Sequence, residues 1–224
     1  TSTGWEPVLK EAQEAKIPVV LVDRDIEAPK DLVVTFIGSD FVLEGEMIAQ
    51  MMIEDLGECP LRVAELQGQP GADPTIDRKK GFENIINKYP KIEITMSQTG
   101  EFNRTQGKQV MEAFLQAAGD KIDVVYAHND DMAIGAIQAI KEYGKQPGKD
   151  IYVASIDGVR DAFVAMKAGE LNSVVECTPL MGPSAFDALE AAWSGKELPD
   201  WIVNKDGAYR SKDVDQTVLD SRKY

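Results

Sequence analysis

The chain has 224 residues, 43% hydrophobic and 28% charged, with 18 Gly and 11 Pro. This ordinary globular composition excludes a disordered, collagen-like or coiled-coil protein and leaves room for one or two cores. Lys and Arg number 24 against 38 Asp and Glu, a net charge of −14, so the mean surface field repels phosphate backbones and nucleic acid is not an expected partner.

In chain order the pattern predicts a helix over 5–15, then strands at 18–23 (PVVLVD) and 33–37 (VVTFI). A helix over 42–56 leads to a strand at 62–67 (RVAELQ), and a helix over 74–89 to a strand at 92–97 (IEITMS). Helices over 104–118, 131–143 and 159–168 alternate with strands at 123–127 (DVVYA), 151–156 (IYVASI) and 172–177 (NSVVEC), before a helix over 182–194. Most strands are apolar at consecutive positions, as strands covered on both faces are, so parallel βαβ units and an α/β fold follow. In 104–118 the residues Val110, Met111, Phe114, Leu115 and Ala118 share one helix face, which marks that face as core. Gly119, Gly144, Gly169 and Gly195 each close a predicted helix. The segment 201–210 (WIVNKDGAYR) reads as one more short strand, and the polar tail SKDVDQTVLDSRKY as surface or frayed chain.

From 40 to 177 five predicted strands make a self-sufficient sheet, whereas two strands before residue 40 make a poor one with an exposed edge. The expectation is that the chain opens inside a first lobe whose initial βα units are missing or supplied elsewhere. No apolar run approaches the ~20 residues of a membrane helix, and the opening TSTGWEPVLKEAQEAK lacks the basic and apolar regions of a signal peptide. Two cysteines, Cys59 and Cys177, form no CxxC pattern. With His128 the single histidine, a metal site is not expected, and nothing calls for a cofactor.

Ligands of open parallel sheets bind beyond the carboxyl ends of the strands. Those ends carry Asp23 and Arg24, Ser39 and Asp40, the Gln67–Gly71 loop leading to Arg78, then Phe102, Asn103 and Arg104. Next come His128, Asn129 and Asp130, then Asp157, then Glu176. Planar hydrogen-bonding groups with one aromatic, and no nucleophile–base pair, suit a neutral polyol. For Asp40, Asp130 and Asp131 the preferred role is a helix cap; for Asp157, before Gly158, capping and ligand binding are evenly balanced. GxSxG, HExxH and GxxxxGK[ST] are all absent, and a Cys177–His128 thiol enzyme is disfavoured because an unpaired cysteine on an apolar strand is usually a small buried hydrophobe.

The stretches IPVVLVDRDI, VAELQGQPGADPTIDRKKGF, EFNRTQGKQVMEAF, YAHNDDMAIGAIQAIKEYG and SIDGVRDAFVAMKAGE resemble, over essentially the whole chain, the periplasmic sugar-binding proteins of ABC importers. The resemblance is to the ribose/galactose-binding type, and within it most to the galactofuranose-binding branch. It implies the type I periplasmic-binding-protein fold, in which two doubly wound lobes close like a hinge over one monosaccharide before docking on a membrane permease. Its pocket maps onto Asp23, Arg24, Arg78, Phe102, Asn129 and Asp157; Glu176 lies near a further polar position, with Cys177 the alternative on that strand. The implied domains are a truncated N-terminal lobe of 1–38 and 179–200 and a complete C-terminal lobe of 39–178 and 201–224. The implied ligand is a pentose or hexose, the furanose form among the candidates, and the implied partner an ABC permease. The implied location is the periplasm, or the cell exterior with a membrane anchor in a Gram-positive source. The alternative is the effector-binding core of a LacI-type repressor, which shares the fold; an enzyme is not expected.

Overall fold

A computed structural model of the protein describes residues 3–224. In chain order the elements are α1 (Glu6–Glu14), β1 (Val20–Val22), β2 (Thr35–Gly38), α2 (Phe41–Leu56), β3 (Leu61–Gln67), α3 (Asp73–Ile86), β4 (Ile92–Thr99) and α4 (Arg104–Ala118). They continue as β5 (Val124–Ala127), α5 (Asp130–Glu142), β6 (Tyr152–Asp157), α6 (Arg160–Lys167), β7 (Ser173–Glu176), α7 (Gly182–Trp193), β8 (Trp201–Val203), β9 (Ala208–Arg210) and α8 (Gln216–Ser221). They divide into two compact units, Thr1–Asp40 with Thr178–Lys205, and Phe41–Cys177 with Asp206–Tyr224.

The first unit contains a parallel three-stranded sheet in the order β1-β2-β8. Its small core gathers Ile37, Met181 and Ala188, with Val20, Leu198 and Ile202 packed against them. The sequence reading places 201–224 with the second lobe. Instead β8 pairs with β2 in the register Ile37↔Ile202, and only from Asp206 onward does the chain join the second unit. The segment 201–210 is accordingly two strands in two sheets, because Asn204–Gly207 interrupts the extended run.

The second unit is built on six strands in the order β4-β3-β5-β6-β7-β9, parallel except for β9. Successive residues of one strand serve opposite cores, as the two-residue period of a strand requires. Val124 and Tyr126 face Ile48, Met52 and Phe82 of α2 and α3, while Val125 and Ala127 face Met111, Leu115, Ala133, Ile140 and Phe163 of α4, α5 and α6. Phe82 stacks on Tyr126 with ring centres 4.1 Å apart. Glycines set the helix spacing on each face. A Cβ on Gly45 of α2 would stand 2.2 Å from the Arg78 carbonyl of α3, and one on Gly135 of α5 would stand 2.1 Å from the Arg104 carbonyl of α4. Gly119, Gly144, Gly169 and Gly195 all adopt positive φ where their helices end. The tail is not frayed: Val214 and Leu219 are buried in the second unit's core, and α8 is capped by Asp215 accepting from Val218 N–H.

Candidate functional site

The carboxyl ends of β5 and β6 are tied together by Arg78, a residue of α3 with only 4% of its side chain exposed. Its Nε donates to Glu44 Oε2 at 2.7 Å, Nη1 to the His128 carbonyl at 2.6 Å, and Nη2 to Asp157 Oδ1 at 3.1 Å. A buried guanidinium needs this degree of pairing, since an uncompensated one costs several kcal/mol, of order 3–5. Burial works against its charge, and the carboxylates of Glu44 and Asp157 more than restore it, so Arg78 stays protonated.

Asn129 follows β5 and caps α5, its Oδ1 accepting from Met132 N–H at 3.0 Å while Nδ2 reaches the Phe102 carbonyl at 3.4 Å. Phe102 lies in the turn between β4 and α4, with its ring against Gly68, where any side chain would collide with it. Non-glycine residues with positive φ among those described are Lys16, Asp23, Glu101, Phe102 and Asp157. Three of them are expected site residues, and backbone strain of this kind gathers at ligand clamps.

Asp130 corrects the sequence reading. It does not cap its helix; it is fully buried and accepts from Ser155 Oγ and from the N–H groups of Gly158 and Val159 at 2.7 and 2.8 Å, pinning the turn that presents Asp157. Burial, reinforced by the Asp157 carboxylate, pushes its carboxyl up to about 8. Asp131 instead pairs with Arg104 at 2.7 Å on the surface.

Glu176 stands in register beside Asp157, but its carboxylate belongs to a different hydrogen-bonded set. Arg222 Nη1 donates to it at 2.8 Å, Tyr224 Oη at 2.7 Å and Gly207 N–H at 3.2 Å. Cys177, the alternative on that strand, faces Glu44. Asp23 and Arg24 lie in the first unit, past the end of β1; Asp23 has φ of 70°, its N–H donates to the Ile37 carbonyl at 2.9 Å, and its side chain stands 3.6 Å from that of Arg24.

Two buried carboxylates escape sequence reading altogether. Glu44 sits in the first turn of α2, and Glu65 in the middle of β3. Glu65 accepts from Lys79 Nζ at 2.8 Å, Gln67 Nε2 at 2.9 Å and Ser97 Oγ, and meets His128 Nε2 at 3.1 Å. Burial opposes its charge, yet the bonds from His128, Lys79 and Ser97 bring its carboxyl down to about 2. His128 is held below its ordinary value, by burial first and then by Arg78 and Lys79. It is therefore a neutral ring that donates from Nε2 to Glu65 and accepts the Gly68 N–H at Nδ1, 3.4 Å away. A ring engaged on both nitrogens in this way is not a base for Cys177. In RVAELQ nothing sets Glu65 apart as buried, and nothing marked Glu44.

A cavity of about 390 Å³ opens at the opposite, amino-terminal edge of the same sheet, but Arg210 there is already paired with Asp55 at 2.8 Å and Glu54 at 2.6 Å. Among the described residues no group of three or more His, Cys, Asp or Glu could hold a metal ion, and no helix is long and apolar enough to cross a membrane.

This fold carries its polar residues at the strand ends, where open α/β sheets take their ligands. The chain belongs to the periplasmic binding protein domain family, whose model matches residues 1–197. It is 48% identical over 225 residues to the galactofuranose-binding protein YtfQ of Escherichia coli K12, an alignment covering 99% of this chain and 71% of that protein. It is 39% identical to the ribose import binding protein RbsB of Bacillus subtilis, over 88% of this chain and 62% of that one. Among solved structures it is similar, with a TM-score of 0.94 and 46% identity, to the periplasmic binding protein component of the arabinose ABC transporter from Shewanella sp. ANA-3, bound to α- and β-L-arabinofuranose. That match covers 100% of this chain and 74% of the other. The fold is thus the type I periplasmic-binding-protein fold expected from the motifs, in a chain shorter than its relatives, and these relatives are sugar-binding transport proteins, not enzymes.

Proposed function

We propose that this protein is the solute-binding component of an ABC sugar importer, working outside the cytoplasmic membrane and delivering a monosaccharide in its furanose form to a permease. One observation carries the reading. Phe102, Asn129, Arg78 and Asp157, drawn from four separate loops and helices, form one linked polar set at the carboxyl edge of the second unit's sheet. Asp157, 29% exposed, accepts from vicinal hydroxyls; Arg78 donates to hydroxyl or ring oxygen; Asn129 does both. Within the first unit, Asp23 and Arg24 offer a carboxylate and a guanidinium past the end of β1. The furanose preference follows the galactofuranose-binding relative and the similar structure bound to arabinofuranose. Their roles in import, together with the charge of −14, favour transport over the effector core of a repressor.

Calorimetry on the whole product of the gene, titrated with pentoses and hexoses and with sugars locked as furanosides or pyranosides, tests this. Binding is expected for a furanose, and Arg78→Ala or Asp157→Ala is expected to weaken it at least about tenfold, or roughly 1.4 kcal/mol. Unchanged affinity in both variants would remove these residues from the site; no heat with any sugar would end the importer reading.

A further inference from the structure

The guanidinium of Arg78 is gripped from behind by a single helical turn. Phe41, Glu44 and Gly45 occupy positions i, i+3 and i+4 of α2, so they share one face. Each meets α3 differently. The Phe41 ring lies 5.4 Å from the guanidinium carbon, Glu44 Oε2 receives Nε–H at 2.7 Å, and Gly45 lets the Arg78 carbonyl come within a distance that any larger residue would block. Gly81, one turn further along α3, answers this by packing on the Val42 carbonyl of the same α2 turn.

Arginine has five N–H donors. Glu44 takes the only one on Nε, and the His128 carbonyl and Asp157 take one on each terminal nitrogen, leaving one donor on each. Glu44 is 2% exposed against 29% for Asp157, so one carboxylate is buried behind the guanidinium and the more accessible one stands in front. The remaining Glu44 oxygen, Oε1, is buried on the side where the Cys177 thiol acts on this carboxylate.

Resting on the sugar-binding reading above, we infer that Glu44 is a positioning residue for the ligand. Its carboxylate fixes the plane of the Arg78 guanidinium and balances its charge, so that Asp157 and the two remaining arginine donors are presented to the sugar. Protonating Glu44 removes that balance and leaves Asp157 as the main counter-ion of Arg78, drawing it away from ligand hydroxyls. Burial pushes the Glu44 carboxyl up to about 7, against the pull of Arg78 and the Cys177 thiol, so the change falls near neutral pH. The other charged or titratable groups facing this pair are Asp206, which raises the Glu44 value further, Asp157 on β6, Cys177, and the phenol of Tyr126, whose own ionisation burial suppresses. Asp130 stands behind Asp157, and His128 stays neutral.

The test measures affinity for L-arabinose and D-galactose between pH 6 and 8 in the wild type and in Glu44→Gln, which keeps the shape and loses the charge. Exchange of the Arg78 Nε–H is followed by nitrogen-edited NMR, with the signal assigned from Arg78→Lys. Wild-type affinity is expected to fall as pH drops from 8 to 6. Glu44→Gln is expected to bind at least about tenfold more weakly at pH 8, with a flat profile and a faster-exchanging Arg78 Nε–H. Wild-type affinity and pH profile in Glu44→Gln would overturn the inference. Should neither sugar bind the wild type, the sugar reading fails on its own, and the NMR signal still decides: unchanged exchange in Glu44→Gln overturns the positioning role, and faster exchange supports it. If Glu44→Gln does not fold, Phe41→Leu serves. Affinity reduced by about two- to fivefold with the pH profile retained supports the seat built by α2, as expected for losing one cation–π contact; unchanged affinity overturns it.

Discussion

The two units differ in how much each buries. The second covers a six-stranded sheet on both faces with continuous apolar clusters, and its polar residues at the strand ends hold one another through buried bonds. The first has three strands and a core of a few residues, and it carries the strongly exposed Trp193 (72%) and Phe186 (71%). A binding residue is only as well placed as the shell that supports it. Arg78 and Asp157 are held by buried partners, whereas Asp23 and Arg24 are about half exposed and stand 3.6 Å apart.

This contrast can be broken by mutation. Phe82→Ala removes a fully buried ring stacked on Tyr126 beneath the Arg78 helix, and is expected to cost about 3–5 kcal/mol in chemical denaturation; a loss below about 1 kcal/mol would show that the second core is loosely packed. Glu65→Gln leaves Lys79 without its buried counter-charge and should cost about 1.5–3 kcal/mol near neutral pH. It also alters the acid limb. The Glu65 carboxyl is lowered on folding, so its contribution is complete above about 4.3, the unfolded value, and is lost as pH falls through about 2. Denaturant midpoints from pH 5 to 2 should accordingly converge for wild type and variant. The smallest effect is expected in the first unit, where Phe186→Ala should change stability by less than about 0.5 kcal/mol; a larger loss would reveal a contact that its exposure does not suggest.

Strands were legible because burial on both faces writes long apolar runs, as in VVYA and YVASI, and helix ends because positive φ selects glycine. The polar residues were legible in position but not in role. Asp130 looks like a helix cap from its place after a strand, yet Asn129 one residue earlier does the capping and Asp130 braces the next loop. Its partners, Ser155, Gly158 and Val159, are close only after β5 and β6 pair. Similarly the tail is polar by composition, but Val214 and Leu219 reach the core, and Arg222 and Tyr224 close around Glu176.

The amino-acid sequence by itself determined the α/β alternation, the family and which strand ends carry polar groups, since hydrophobic period, glycine placement and family motifs are local properties of the chain. Only the tertiary structure decided which of those groups act together, because a buried charge is stable only beside partners that lie tens of residues away. Glu44 and Arg78, 34 positions apart, become one unit through the approach of α2 and α3.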